Sequence, residues 1–404
     1  MALEKTWRWF GFNDPITLDN LAQIGVEGVV TALHHIPNGE IWTKDEILKV
    51  KHAINAKGMR WSVVESLPIS EGIKIKSADY DRLIRNYQIS LRNLGECGID
   101  TVVYNFMPVI DWVRTNINYT LSNGGESMYF DLPTFAAFDI YLLKRLGAEK
   151  DYDSEMLKRA KAIADNLSPE EADKLVYNII VLTQGFINGV IDGSVSNPKE
   201  LFLEFISRYK DIDSDTLRQN LKDFLDNVIP VAEEAGINLC IHPDDPPFPV
   251  LGLPRIVGRI EDIEWILDAN KSTNNGLAFC VGSLSARPDN NLVEIAHKFG
   301  HRIHFAHLRN TQLMPDGSFY ESGHLVGSQD MVNIVTTLLK EQKRRRDSGR
   351  KDYRMPFRPD HGIKMLHDYE HGYNPGYPLI GRLKGLAEIE GLMVGIEWYL
   401  NSKE

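Results

Sequence analysis

Short apolar runs alternate with amphipathic stretches along most of this chain. The runs are WRWFG (Trp7 to Gly11), EGVVTALHHIP, MRWSVVESLP (Met59 to Pro68) and IDTVVYNFMP, then INLCIHP, GLAFCVG, RIHFAHLRN and MPFRPDHG. Each is short, rich in β-branched or aromatic residues, and bounded by Gly, Pro or Asn, as buried strands are. Between them the apolar positions recur every three or four residues, the helical period. In TKDEILKVKHAINAKG, for example, Thr43 and Glu46 form a capping-box pattern, Ile47, Val50 and Ile54 form a stripe, and Gly58 is a stop. Asp14 is expected to cap an earlier helix whose first position is Pro15. Eight strand–helix pairs in regular order predict an α/β fold, a (β/α)8 barrel, as a single domain over residues 1–404. An open doubly wound sheet is the alternative, but no GxGxxG follows the first strand.

The alternation breaks at residues 108–210. A Gly-rich SNGGES loop, the aromatic run LPTFAAFDIYLLKRLG and charged stretches around SPEEADKLVYNIIVL predict a helical insertion after the fourth strand. It lacks an evident linker on either side, so a lid or a subunit contact is expected of it, not an independent domain.

Composition narrows the class. With 43% hydrophobic and 25% charged residues in 404, the chain can bury a large core. A formal charge of −11 argues against general nucleic-acid binding, which needs a basic footprint. The one basic cluster, Lys340 to Lys351, reads as a solvated helix end. No apolar run approaches the ~18 residues of a membrane span, and the N-terminus lacks a signal-peptide layout. Three cysteines without such a signal predict reduced thiols and a cytoplasmic location, with no membrane partner.

The candidate chemistry sits where the later apolar runs end. His242 closes INLCIHP, Cys280 closes GLAFCVG, His307 lies in RIHFAHLRN and Asp360 in MPFRPDHG, each several tens of residues from the next. That spacing is too wide for a local metal knuckle. Taken singly, a strand-end His is more often a packed residue, a lone Cys a small core hydrophobe, and an Asp before His-Gly a turn cap. All four occupy the same station on successive parallel strands, however, and such strands deliver their ends to one face. Two imidazoles, a thiolate and a carboxylate suit Mn²⁺, Fe²⁺, Co²⁺ or Zn²⁺ better than Ca²⁺ or Mg²⁺. Arg358, two residues before Asp360, is expected on the same side and able to clamp a carboxylate. His361 and Tyr377 are candidates for proton transfer, and His34 and His35 for binding a polyol. His304 reads as structural, while His324, His367 and His371 are weaker candidates in loops.

RWFG…DPI, GVVTALHHIPNGEIW, INLCIHPDDPP, LAFCVGSLSA, HFAHLRN, RPDHG and GYPLIGRLKGLAEIEGL together resemble the signature segments of the mannonate dehydratase family of bacterial hexuronate breakdown. The resemblance runs from the first strand to the last helix. It implies a TIM barrel, a hydro-lyase converting D-mannonate to 2-keto-3-deoxy-D-gluconate and water in glucuronate catabolism, and one Mn²⁺ or Fe²⁺ per site, with Co²⁺ or Zn²⁺ behind them. It implies His242, Cys280, His307 and Asp360 as ligands, Arg358, His361 and Tyr377 in catalysis, a small sugar-acid substrate, and no nucleic acid. A homo-oligomer, a dimer first, is expected. The competing enzyme reading is a metal-dependent sugar isomerase or epimerase on the same barrel. A non-catalytic metal or sugar-acid binding protein is the competing non-enzyme.

Overall fold

The computed structural model describes residues 2–183, 191 and 194–402. Its strands are β1 (Glu4–Arg8), β2 (Gly28–Thr31), β3 (Arg60–Glu65), β4 (Thr101–Tyr104), β5 (Asn116–Thr120), β6 (Glu126–Phe130), β7 (Asn238–Ile241), β8 (Asn275–Cys280), β9 (Ile303–His307), β10 (Thr311–Leu313), β11 (Phe319–Glu321) and β12 (Pro356–Arg358). Eight of them close a parallel barrel in the order β1, β12, β9, β8, β7, β4, β3, β2, so each expected barrel strand is present. Val30, Val63, Val103, Cys240, Ala278 and Phe305, one from each of six strands, pack into a buried interior cluster. The larger core lies between strands and helices and includes Trp7, Ile47, Ile54, Leu91, Phe224 and Ile334.

Several boundaries move. The first strand starts at Glu4 rather than Trp7, because Glu4 and Lys5 already pair with Pro356 and Phe357 of β12. Asp14 caps no helix: Thr17 does, its hydroxyl accepting from Asn20 N, before the helix Leu18–Gln23. The Asp14 carboxylate instead accepts from Phe10 N at 2.8 Å and Ile16 N at 2.9 Å, which fixes the loop after β1. β2 ends at Thr31, so His34 and His35 lie in the following turn. Thr43 does cap the next helix, Lys44–Asn55, with Ile47, Val50 and Ile54 buried. In the basic cluster Arg345 is fully buried, donating to the carbonyls of Gly300 and Ile303, so the segment is more than a solvated helix end.

The insertion after β4 carries helices at Leu132–Ala137, Ser154–Asn166, Pro169–Val176 and Pro198–Ser207. It opens, though, with the β5–β6 hairpin, which periodicity did not reveal. β6 pairs antiparallel with β11 from the loop after β9, making a second sheet in the order β10, β11, β6, β5. One face of β5 is open to solvent and these strands are short, so alternation is weak in the sequence. Tyr119, Tyr129 and Tyr320, all half-buried, pack together, with ring centroids 4.7 Å apart for Tyr119 and Tyr129.

The C-terminal helix (Leu379–Asn401) closes against the loop after β12 through two glycines. A Cβ on Gly381 would lie 1.9 Å from the Ile363 carbonyl oxygen, and one on Gly385 2.1 Å from the His324 ring. Only glycine permits this approach, and it presses the helix onto the segment that bears Asp360 and His361.

Candidate active site and metal centre

β7, β8, β9 and β12 bring their C-terminal ends to one rim. A cavity opens there, lined among others by Arg8, Phe10, Glu65, Trp112, His242, Arg309, Arg358, Asp360, His361 and Tyr377. Ligand atoms of His242, Cys280 and His307 all lie within 4.8 Å of one another. His242 Nε2 stands 3.3 Å from His307 Nδ1. Asp360 Oδ2 is 3.9 Å from both Cys280 Sγ and His307 Nδ1. Asp360, which lines the cavity, is held in left-handed backbone conformation, φ 67°, a costly state for a non-glycine residue.

The groups behind these donors decide which atoms they present. His242 Nδ1 donates to the Pro243 carbonyl at 2.6 Å, which leaves Nε2 for a ligand. His307 turns Nε2 toward Glu65 Oε1 at 3.2 Å, leaving Nδ1 on the donor side. Such backing of imidazoles by carbonyl and carboxylate is the usual outer shell of a metal site. Cys280 Sγ accepts from Ser283 Oγ at 3.1 Å and lies 3.7 Å from Arg309 Nη2. Burial alone would raise the Cys280 thiol, but Arg309, His307 and His242 overcome it and hold it well below its ordinary value. A buried thiolate beside two correctly presented imidazole nitrogens fits a divalent transition ion, with Asp360 as the nearest carboxylate.

The cavity's charges pair off. Arg358 meets both oxygens of Glu65 at 3.0 Å and also binds Asp360. Arg309 reaches Asp360 at 3.1 Å, Asp245 at 2.9 Å and Glu321 at 2.7 Å. Arg114, fully buried, joins Asp245 at 2.8 Å and Glu321 at 2.9 Å. Despite their burial, Glu65 and Asp360 are drawn well below the ordinary carboxylate range by these arginines, and Glu321 to about 2 by His361 and the arginines. Asp111, also on the wall, is pushed up by burial, toward its neutral form.

Among the remaining expected residues, His361 and Tyr377 meet edge-to-face with centroids 4.9 Å apart, and Phe10 packs 4.8 Å from Tyr377. His34 and His35 do not line the cavity. His34 is exposed, its ring 6.0 Å from Phe10, and His35 is exposed and bound to Glu46 at 2.9 Å. His304 is buried and bonded to the Thr273 carbonyl, as a structural histidine would be. Sequence reasoning missed Glu65, Asp245, Arg309 and Glu321. Arg309 had a signal, since it lies two residues after His307 and so on the same side. Asp245 lies in the DDPP segment after His242, where no single residue stands out, and Glu321 on a strand the pattern did not show.

A closed parallel barrel with paired charges, a thiolate–imidazole cluster and proton-bearing side chains at the C-terminal rim defines an α/β-barrel enzyme. Residues 3–403 match the model of the D-mannonate dehydratase (UxuA) family. The mannonate dehydratase of Marinomonas sp. is 48% identical over 396 residues, 98% of this chain and 99% of that protein. That of Chromohalobacter salexigens is 50% identical over 397 residues, again 98% and 99%. The crystal structure of mannonate dehydratase from Streptococcus suis serotype 2 superposes with a TM-score of 0.77 at 30% identity, covering 99% of this chain and 95% of that one. The chain belongs to the D-mannonate dehydratase family and is a hydro-lyase.

Proposed function

We propose that the chain dehydrates D-mannonate to 2-keto-3-deoxy-D-gluconate and water, as a step of glucuronate breakdown. The ion it uses is Mn²⁺ or Fe²⁺, held by His242, Cys280, His307 and Asp360. The observation that carries this reading is the convergence of His242, Cys280 and His307 within 4.8 Å beside the cavity that His361 and Tyr377 also line. Charge supports it. Arg8, Arg114, Arg309 and Arg358 pair with Glu65, Asp245, Glu321 and Asp360, and a divalent ion beside them would add the positive charge that a sugar-acid anion meets.

When bound, the ion would supply positive charge for the substrate carboxylate and for the charge that grows there as C2 loses its proton. Arg358 is engaged by Glu65 and Asp360, so its part is to hold those carboxylates and lend positive potential to the cavity. Arg8, which pairs with Glu65 at 3.3 Å, is less closely held than Arg358 and is the freer cation for substrate oxygens. Burial pushes the Tyr377 phenol up, which keeps its proton available for the departing C3 hydroxyl. His361 then takes the C2 proton. His34 stands outside these steps, beside Phe10 at the rim, where a distal hydroxyl would pass.

Residues 108–210 act in this reading as part of a single barrel domain, because β6 is paired to β11 beyond the insertion. A cytoplasmic homodimer completes the proposal. The cysteines are free, as suits a reducing compartment, and among the described residues no helix is long and apolar enough to cross a membrane.

The test is turnover of D-mannonate and its C2 epimer by ion-loaded protein, following 2-keto-3-deoxy acid. His361→Gln should retain the ion and lose about 10²–10⁴-fold in kcat. Ketose formation from an aldose without dehydration would overturn the reaction. Unchanged turnover in His361→Gln would overturn the role of that residue.

A further inference from the structure

His361 has a carboxylate directly behind it, and that carboxylate belongs to neither the barrel nor the ligand set. Glu321 ends β11 of the antiparallel sheet and is buried. Its Oε1 and Oε2 lie 2.8 and 2.9 Å from His361 Nδ1, while His361 Nε2 is 3.9 Å from Asp360 on the other side of the ring. Glu321 is itself fixed: Oε1 accepts from Arg114 Nη2 at 2.9 Å and from Arg309 Nη1 at 2.7 Å. Trp112 flanks the imidazole, ring centroids 5.7 Å apart, and Tyr377 closes another side. The ring is thus confined by packing, and its Nδ1 is confined by charge.

We infer that Glu321 is a positioning residue that keeps the proton of neutral His361 on Nδ1, so that bare Nε2 faces the reacting carbon. A carboxylate has no proton to give at this position, so a neutral imidazole must donate to it from Nδ1. Arg309 Nη1 also lies 2.8 Å from Nδ1 and could donate there, which would move the ring proton to Nε2 and make His361 useless as a base. Glu321 prevents this by accepting from both groups. The inserted hairpin therefore takes part in the chemistry: Arg114, just before β5, and β6, paired with β11, hold Glu321 in place. The inference rests on His361 as the proton-transferring group.

Glu321→Gln separates the two arrangements. The two arginine donors claim an oxygen at the Oε1 position, which leaves the amide nitrogen at the Oε2 position, 2.9 Å from Nδ1. The amide then donates to Nδ1 and the ring proton shifts to Nε2. Nitrogen-15 NMR of imidazole-labelled, ion-free protein, with His361→Gln to assign the signal, should show the neutral ring protonated on Nδ1 in the natural chain. In Glu321→Gln it should move to Nε2. Loaded with Mn²⁺, that variant should lose about 10²–10⁴-fold in kcat with KM little changed, and Glu321→Asp should recover part of the loss. A natural chain protonated on Nε2, or Glu321→Gln turning over at the natural rate, overturns the inference. The first outcome needs no variant to fold. If His361→Gln keeps full turnover, it is the underlying reading of His361 that fails, and the tautomer measurement still stands by itself.

Discussion

The carboxylate of Glu65 meets three groups at once: His307 Nε2 at 3.2 Å, Arg358 at 3.0 Å and Arg8 at 3.3 Å. Through the first it sets which nitrogen His307 offers to an ion, and through the second it shares an arginine with Asp360. Glu65→Gln removes that charge without removing the side chain. Outer-shell changes of this kind cost about 10–100-fold in metal affinity, and competition against a coloured chelator should show a loss of that order for Mn²⁺. Affinity unchanged in the variant would mean that His307 needs no such backing.

Acid should expose the same dependence on ionised carboxylates. Glu321 falls from an ordinary 4.5 to about 2 in the folded chain, and Arg114 and Arg309 outweigh burial to hold Asp245 below its ordinary value. A depressed folded pKa contributes stability that is complete above the unfolded value and lost as pH falls toward the folded one. The thermal midpoint of ion-free protein should therefore drop steeply between pH 4.5 and about 2, and a flat profile there would contradict the charge network. The convergence of His242, Cys280 and His307 was legible because each lies at the end of an apolar run on successive strands. Glu65 and Glu321 were not, because their significance lies in partners hundreds or tens of residues away.

At the scale of elements, the barrel strands and most helices could be read because burial imposes a period on them. The β5–β6 hairpin and the short strands β10 and β11 could not. They are three to five residues long and partly open to solvent, so packing between tyrosines, not alternation, holds them. The glycines of the last helix carried a signal of another kind. Gly385 faces His324, whose Nε2 donates to the Pro359 carbonyl at 2.8 Å, one residue from Asp360. Gly385→Ala would drive a methyl into that ring. Overpacking costs about 1–3 kcal/mol, and here it would also displace the Pro359–His361 segment. Urea unfolding should register the destabilisation, and kcat should fall by more than the stability loss explains. A variant with normal kcat would show that the helix and the loop move independently.

Across the whole molecule, the parallel barrel turns sequence distance into spatial convergence. His242 follows β7 and Cys280 and His307 end β8 and β9, which are neighbours in the barrel, and Asp360 follows β12, which pairs with β9. An ion bound among them would link four strand ends and bind the folded chain alone, since the unfolded chain cannot assemble the cluster. Ligand that binds only the native state stabilises it by about 2.7 kcal/mol at one hundred times its Kd. Prolonged chelation followed by calorimetry should thus lower the unfolding midpoint by a few degrees and abolish dehydration, with both restored by Mn²⁺ or Fe²⁺ and neither by Ca²⁺. The two effects should titrate together, because one site would account for both. A midpoint that responds to the ion while turnover does not would place the ion in a structural role. Turnover persisting in fully chelated protein would remove it from the reaction altogether.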